Sequence, residues 1–228
     1  MRPLVAQPKP FVGLPSVPLR GRHTLVALLK TGEAFQARLT CRPIGDNPEP
    51  LHWRLFDPED TLLAQGSLEP NRSEEVKVPG KQAGVYLLVV DPGRNAAQVT
   101  LLNDHAALAG RTLFLVHQTA PLFFFVPSGV RRFTLTVQSP APGETVRVRL
   151  LDPLGKEVAV GETGPVGERK IEVKVPPGQD GRPWSVRVER GEIGVLEDYT
   201  LILDSALPGF WALAEDRLVM PQAEGGGR

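Results

Sequence analysis

The chain has 228 residues and a formal net charge of zero, with 26 Lys and Arg against 26 Asp and Glu. Glycine and proline number 23 each, well above average usage, which excludes a mainly helical protein and a long coiled coil. The 41% apolar share excludes a wholly disordered chain, and the balanced charge excludes generic attraction to nucleic acid or acidic membranes.

The first 21 residues form a proline-rich lead (Pro3, Pro8, Pro10, Pro15, Pro18), expected to be extended along a sandwich edge or to link to something else. Its start lacks the apolar core of a signal peptide. No stretch approaches the roughly 18 apolar residues of a membrane span, and the longest apolar run is Leu122 to Val126. These features point to a soluble chain with no membrane insertion, either cytoplasmic or a fragment of a longer exported protein. The one cysteine, Cys41, excludes an internal disulfide and a cysteine-based zinc site.

Strands with period two follow the lead. Phe35, Ala37, Leu39 and Cys41 alternate with polar residues, and so do Leu51, Trp53 and Leu55. The same pattern returns at Phe133 to Val137, Val146 to Leu150 and Ile171 to Val175. One wet and one dry face is the antiparallel signature. The sequence also repeats itself. His52 to Pro58 matches Arg147 to Pro153, and Glu75 to Pro79 matches Glu172 to Pro176. The order is kept at nearly constant spacing, which predicts two copies of one domain joined near Ala109-Gly110. Asp57-Pro58 and Asp152-Pro153 read as hairpin tips, each Asp accepting a hydrogen bond from the backbone two residues on. Ala212 to Leu218 has room for one short helical turn. The fold expected is all-β: two tandem antiparallel β-sandwiches, immunoglobulin-like or jelly-roll-like. The boundaries are 1–21 for the lead, 22–109 and 110–221 for the sandwiches, and 222–228 for a flexible tail.

Candidate chemistry is sparse. His23, His52, His105 and His117 have no metal-ligand spacing, and Asp104-His105 reads as a surface turn between domains. There is no nucleophile elbow and no phosphate loop, and Cys41 falls on a core face. Trp53 and Trp184 share parity with core residues. Trp211 follows Pro208-Gly209-Phe210 outside a clean strand, either exposed or plugging the sandwich end. Phe123-Phe124-Phe125 makes a strand apolar on both faces. Its second face needs a cover, with the other domain the first choice and a ligand platform the second. Phe124 and Trp211 are therefore the candidate ligand-binding residues. No catalytic residue, metal or cofactor is assigned.

The run Leu122 to Gly129 resembles the opening strand of bacterial accessory β-sandwich modules. Val146 to Lys156 is similar to their strand–turn, and Val173-Lys174-Val175-Pro176 through Trp184-Ser185-Val186 to their strand pair. A weaker form covers Leu55 to Val90. Such modules look like the prepeptidase C-terminal and galactose-binding-like groups found with secreted polysaccharide-acting enzymes or proteases. The resemblance implies a non-catalytic accessory role with a polysaccharide or protein partner, and carries over no site residue. Its departure is the missing signal peptide. One alternative is a hydrolase at the domain junction using Glu192 and Glu197 with His117. Another is a structural spacer or assembly subunit.

Overall fold

The computed structural model describes residues 1–10, 15–164 and 167–221; the tail expected at 222–228 lies outside them. After the short strand β1 (Arg2–Pro3), the N-terminal half runs β2 (Val17–Arg20), β3 (His23–Leu29), β4 (Ala34–Arg42), β5 (Leu51–Phe56), β6 (Leu62–Leu68), β7 (Ser73–Pro79), β8 (Gly84–Asp91), β9 (Ala96–Leu101) and β10 (Ala106–Ala109). The C-terminal half runs β11 (Thr112–Val116), β12 (Leu122–Val126), β13 (Arg132–Ser139), β14 (Val146–Leu151), β15 (Glu157–Glu162), β16 (Gly167–Lys174), β17 (Arg182–Arg190), β18 (Asp198–Leu203) and β19 (Phe210–Trp211). A single 3-10 turn, Glu215–Arg217, falls inside the stretch expected to hold one and leads to β20 (Val219–Met220). All strand pairs within the sheets are antiparallel.

In the N-terminal half, β2-β9-β4-β7 face β3-β8-β5-β6. In the C-terminal half, β11-β18-β13-β16 face β12-β17-β14-β15. Each set has the strand order of a jelly roll. The two halves are fused. Strand β2 pairs with β9 on one side and with β11 on the other, where Leu19 lies opposite Leu115. The result is one eight-stranded sheet, β16-β13-β18-β11-β2-β9-β4-β7. On the opposite layer β19 pairs with β10, and the next residue, Ala212, bridges to Phe123 of β12.

The end of the proline-rich lead, expected along a sandwich edge or as a link, is thus an interior strand of this sheet. Val17 and Leu19 are fully buried, which draws the segment into the core. The ladder to β11 is short, with Leu19 and Leu115 its one pair among the described residues. The lead's first residues lie over the outer face of the six-stranded sheet. There β1 pairs with β20, and Met1 and Val219 pack with Val26, Leu28 and Ala107. Arg217 clamps this layer, donating to the carbonyls of Asn103 and Lys9 at 3.1 and 3.0 Å.

One apolar core runs through both halves. Trp53, Trp184 and Cys41 lie in it, as their parity predicts. Phe133 sits edge-on to Trp184 and Phe124, and Phe124 edge-on to Trp211, with ring centroids 5.4 to 5.7 Å apart.

The Asp-Pro pairs are hairpin tips. Asp57 Oδ1 accepts the N–H groups of Glu59 and Thr61, both at 2.9 Å. Asp152 Oδ1 accepts those of Leu154 and Lys156, at 2.9 and 3.0 Å. Three residues beyond each aspartate the backbone is left-handed, at Asp60 (φ 62°) and Gly155 (φ 77°), and each ladder slips register at Leu55/Phe56 and Leu150/Leu151. This is a type I turn closed by a bulge. Both carboxylates are buried. Asp57→Ala and Asp152→Ala each remove one acceptor serving two N–H groups. Each should cost about 1–2 kcal/mol in urea unfolding, with the all-β circular dichroism signature retained.

Candidate functional site

The β2–β11 seam has an outer face, and a groove lies along it. Side chains alternate across the strands, so Leu19 and Leu115 face the core while Arg20 and Phe114 face outward beside each other. Thr200 of β18 pairs with Phe114 and extends the row. The loop from Pro43 to Glu49 forms the far wall. Fully buried Asn95 holds it there: its Oδ1 accepts the Ile44 N–H at 3.0 Å, and its Nδ2 donates to the Glu49 carbonyl at 2.6 Å. The open groove has a volume of about 640 Å³, within the range of ligand pockets, and it lies where the N-terminal and C-terminal strand sets join. Ile44 also borders a second hollow of about 380 Å³, lined by Arg42 and His117.

Three arginines, Arg20, Arg22 and Arg94, and one acid, Asp198, are among the residues that line the larger cavity. Arg20 is fixed. Its Nε meets Asp198 Oδ1 at 3.0 Å across the seam, and its Nη1 donates to the carbonyls of Arg94 and Asn95 at 2.5 and 2.7 Å. Arg22, Arg42 and Arg94 are exposed, and none has an ion pair among the described residues. Phe114, 47% exposed, lines the same cavity as Arg20, Arg22 and Arg94. It is an aromatic ring placed on the wet side of its strand.

His23 ties the site to the seam from beneath. It is buried, and its Nε2–H reaches the carbonyls of Arg20 at 3.1 Å and Phe114 at 3.2 Å, one on each side of the seam. Both partners are acceptors, so Nε2 carries the proton. Burial lowers the pKa of the ring below its ordinary 6.5, against the opposing pull of the two carbonyls.

The residues expected to bind ligand lie elsewhere. Phe124 and Trp211 are both fully buried, so neither forms an exposed platform. Phe124 shares the inward parity of Leu122 and Val126, while Phe123 and Phe125 on the outward side are half-buried. Trp211 plugs the join between the halves, its Nε1–H donating to the Gly110 carbonyl at 3.1 Å. The groove residues Arg20 and Phe114 escaped the sequence reading. Phe114 carries a legible signal, an aromatic out of phase with Leu113 and Leu115, whereas the strand bearing Arg20 is concealed among prolines.

Of the alternative set, Glu192 is held by Arg147 at 2.9 Å. His117 meets its neighbours through the backbone: its N–H donates to the Glu197 carbonyl at 3.0 Å, and its Nδ1 lies 3.4 Å from the Leu196 carbonyl. Nearby Glu144 has its carboxyl pKa raised by burial and by Asp198 and Glu197. No group of three or more metal-ligating side chains converges among the described residues. His105 is buried, not on a surface turn, because the N-terminal segment covers it and its Nε2 meets the Val5 carbonyl at 2.7 Å. Among the described residues no helix is long and apolar enough to cross a membrane.

No family model and no curated protein matches the chain. Among solved structures, β-glucuronidase from Ruminococcus gnavus is similar over 80% of this chain, at 12% identity and a TM-score of 0.23. The chain spans 35% of that enzyme's length. The coconut allergen cocosin is similar over 84% of this chain and 73% of its own, at 11% identity and a TM-score of 0.25. Pumpkin seed globulin is similar over 86% and 74%, at 9% identity and a TM-score of 0.24. Scores this low carry no correspondence of sites.

A depressed histidine pKa means that the unfolded chain binds the proton first as pH falls. The stability His23 contributes is therefore complete above its ordinary 6.5 and is lost progressively from there toward the lowered folded value. Urea midpoints measured between about pH 7 and about pH 5 should fall more steeply for the wild type than for His23→Gln. Equal slopes would contradict the buried, neutral state.

Proposed function

We propose that the chain is a non-catalytic binding module that takes an acidic glycan in the seam groove. The observation that carries this reading is that Phe114, nearly half exposed, shares the lining of a cavity of about 640 Å³ with Arg20, Arg22 and Arg94. A flat ring packs against the apolar face of a sugar ring. Arginine forks pair with carboxylate or sulfate groups on the same ligand. Arg20, pinned by Asp198 and two carbonyls, is a preorganised donor; Arg22 and Arg94 are free to close on the ligand. We further read the two halves as copies of one sandwich unit. In support, their strand orders coincide, and their Asp57 and Asp152 turns share hydrogen bonds and register slip.

Affinity electrophoresis through gels containing polygalacturonate, alginate or a neutral glucan tests the ligand. The acidic gels should retard the wild type, less so as salt rises. Phe114→Ala and Arg22→Ala combined with Arg94→Ala should each weaken retardation by about tenfold or more. Phe124→Ala, by contrast, should lower stability by about 3–5 kcal/mol, since its ring is core. Unchanged mobility in every gel, or equal retardation of the groove variants, would overturn the assignment.

A further inference from the structure

The two halves offer an internal comparison on the outer face of their second sheets. In the C-terminal half, β14 lies between β15 and β17, and its outward arginines are saturated. Arg147 meets Glu162 at 3.2 Å and Glu192 at 2.9 Å, and Arg149 meets Glu157 and Glu189 at 2.8 Å each. These ion pairs occupy the face.

The same positions in the N-terminal half are built differently. Strand β5 lies between β6 and β8 in the same register. His52 stands opposite Ser67 and Asp91, where Arg147 stands opposite Glu162 and Glu189. Arg54 stands opposite Gln65 and Val89, where Arg149 stands opposite Val160 and Arg187. These six side chains border a depression of about 540 Å³. Among the described residues His52, Gln65 and Ser67 make no side-chain hydrogen bond or ion pair. Asp91 spends Oδ1 on the Gly93 N–H at 3.0 Å. Arg54 has no carboxylate partner and is steadied by the Phe56 ring, 6.0 Å away. Beneath the slot, Gly66 lies against the Trp53 indole, so closely that a Cβ would meet it at 2.8 Å. The floor is therefore packed and fixed.

We propose that this slot is a second ligand site, and that its ligand is a neutral saccharide. Arg54 and Asp91 cancel in charge, so the slot selects for hydrogen bonding over net charge, unlike the seam groove. It presents donors and acceptors in rows about 4.8 Å apart, the strand spacing. The guanidinium donates, the carboxylate accepts, and the amide and imidazole do both, which matches hydroxyl groups that donate and accept. The site shares no residue with the seam and stands independently of the reading given to it.

Amide chemical-shift mapping of the full chain, titrated with glucose, galactose and mannose, tests the proposal. At least one sugar should shift amides clustered on β5, β6 and β8. The double variant His52→Arg with Ser67→Glu installs the ion pair of the other half and fills the slot. It should weaken the response by about tenfold or more while leaving the remaining amide pattern in place. Phe114→Ala should leave the response unchanged, which separates this site from the groove. The proposal is overturned by absence of clustered shifts with all three sugars, by shifts confined to the seam, or by a response that survives the double variant.

Discussion

Strand β2 is paired on both sides, with β9 of its own half and with β11 of the other, and this shared position governs much of the molecule. A jelly roll ends its sheets in edge strands with unpaired backbone groups, a hazard that proteins remove or cover. Here two such edges satisfy each other, and Leu19 and Leu115 enter a common core. Strand β19 makes the complementary join on the opposite layer, with Trp211 driven between the halves. The two ends of the eight-stranded sheet, β7 and β16, are both rich in charge, Ser73-Glu74-Glu75-Val76-Lys77 and Glu168-Arg169-Lys170. Charged edges resist further pairing.

The same join makes the groove. The groove lies along the seam, and Arg20 and Phe114 of the joining strands line it. Arg20 serves both purposes: its ion pair to Asp198 links the halves, and its guanidinium faces the cavity. His23 lies one layer deeper, bonded to a carbonyl on each side. Seam geometry and groove geometry are thus one quantity, and a change that loosens the seam acts on the site.

Much of the architecture was legible because strands write their parity into the sequence. Alternation at Phe133 to Val137 and Val146 to Leu150 fixed the inward faces, and the Asp-Pro pairs marked the hairpin tips. What escaped depends on tertiary partners. Val17 to Arg20 reads as the end of an extended proline-rich lead, since propensity carries no trace of the two neighbouring strands that hold it. Phe124 and Trp211 looked like ligand rings because sequence cannot show which apolar strand a second strand will seal; β19 and the aromatic chain bury both. Arg20, Arg22 and Arg94 are unremarkable singly and become a cluster only when β2, β11 and the turn after β8 converge.

Hydrogen–deuterium exchange of the intact chain, free and with polygalacturonate, bears most directly on the account. Amides of β2 and β11 should exchange as slowly as those of the central strands β8 and β17, showing a seam that opens only with the whole fold. Polygalacturonate should add protection at Arg20 to Arg22, Ile44 to Asn47 and Gly93-Arg94. Rapid exchange along β2 and β11, or added protection that bypasses those segments, would contradict a seam that both joins the halves and holds the ligand.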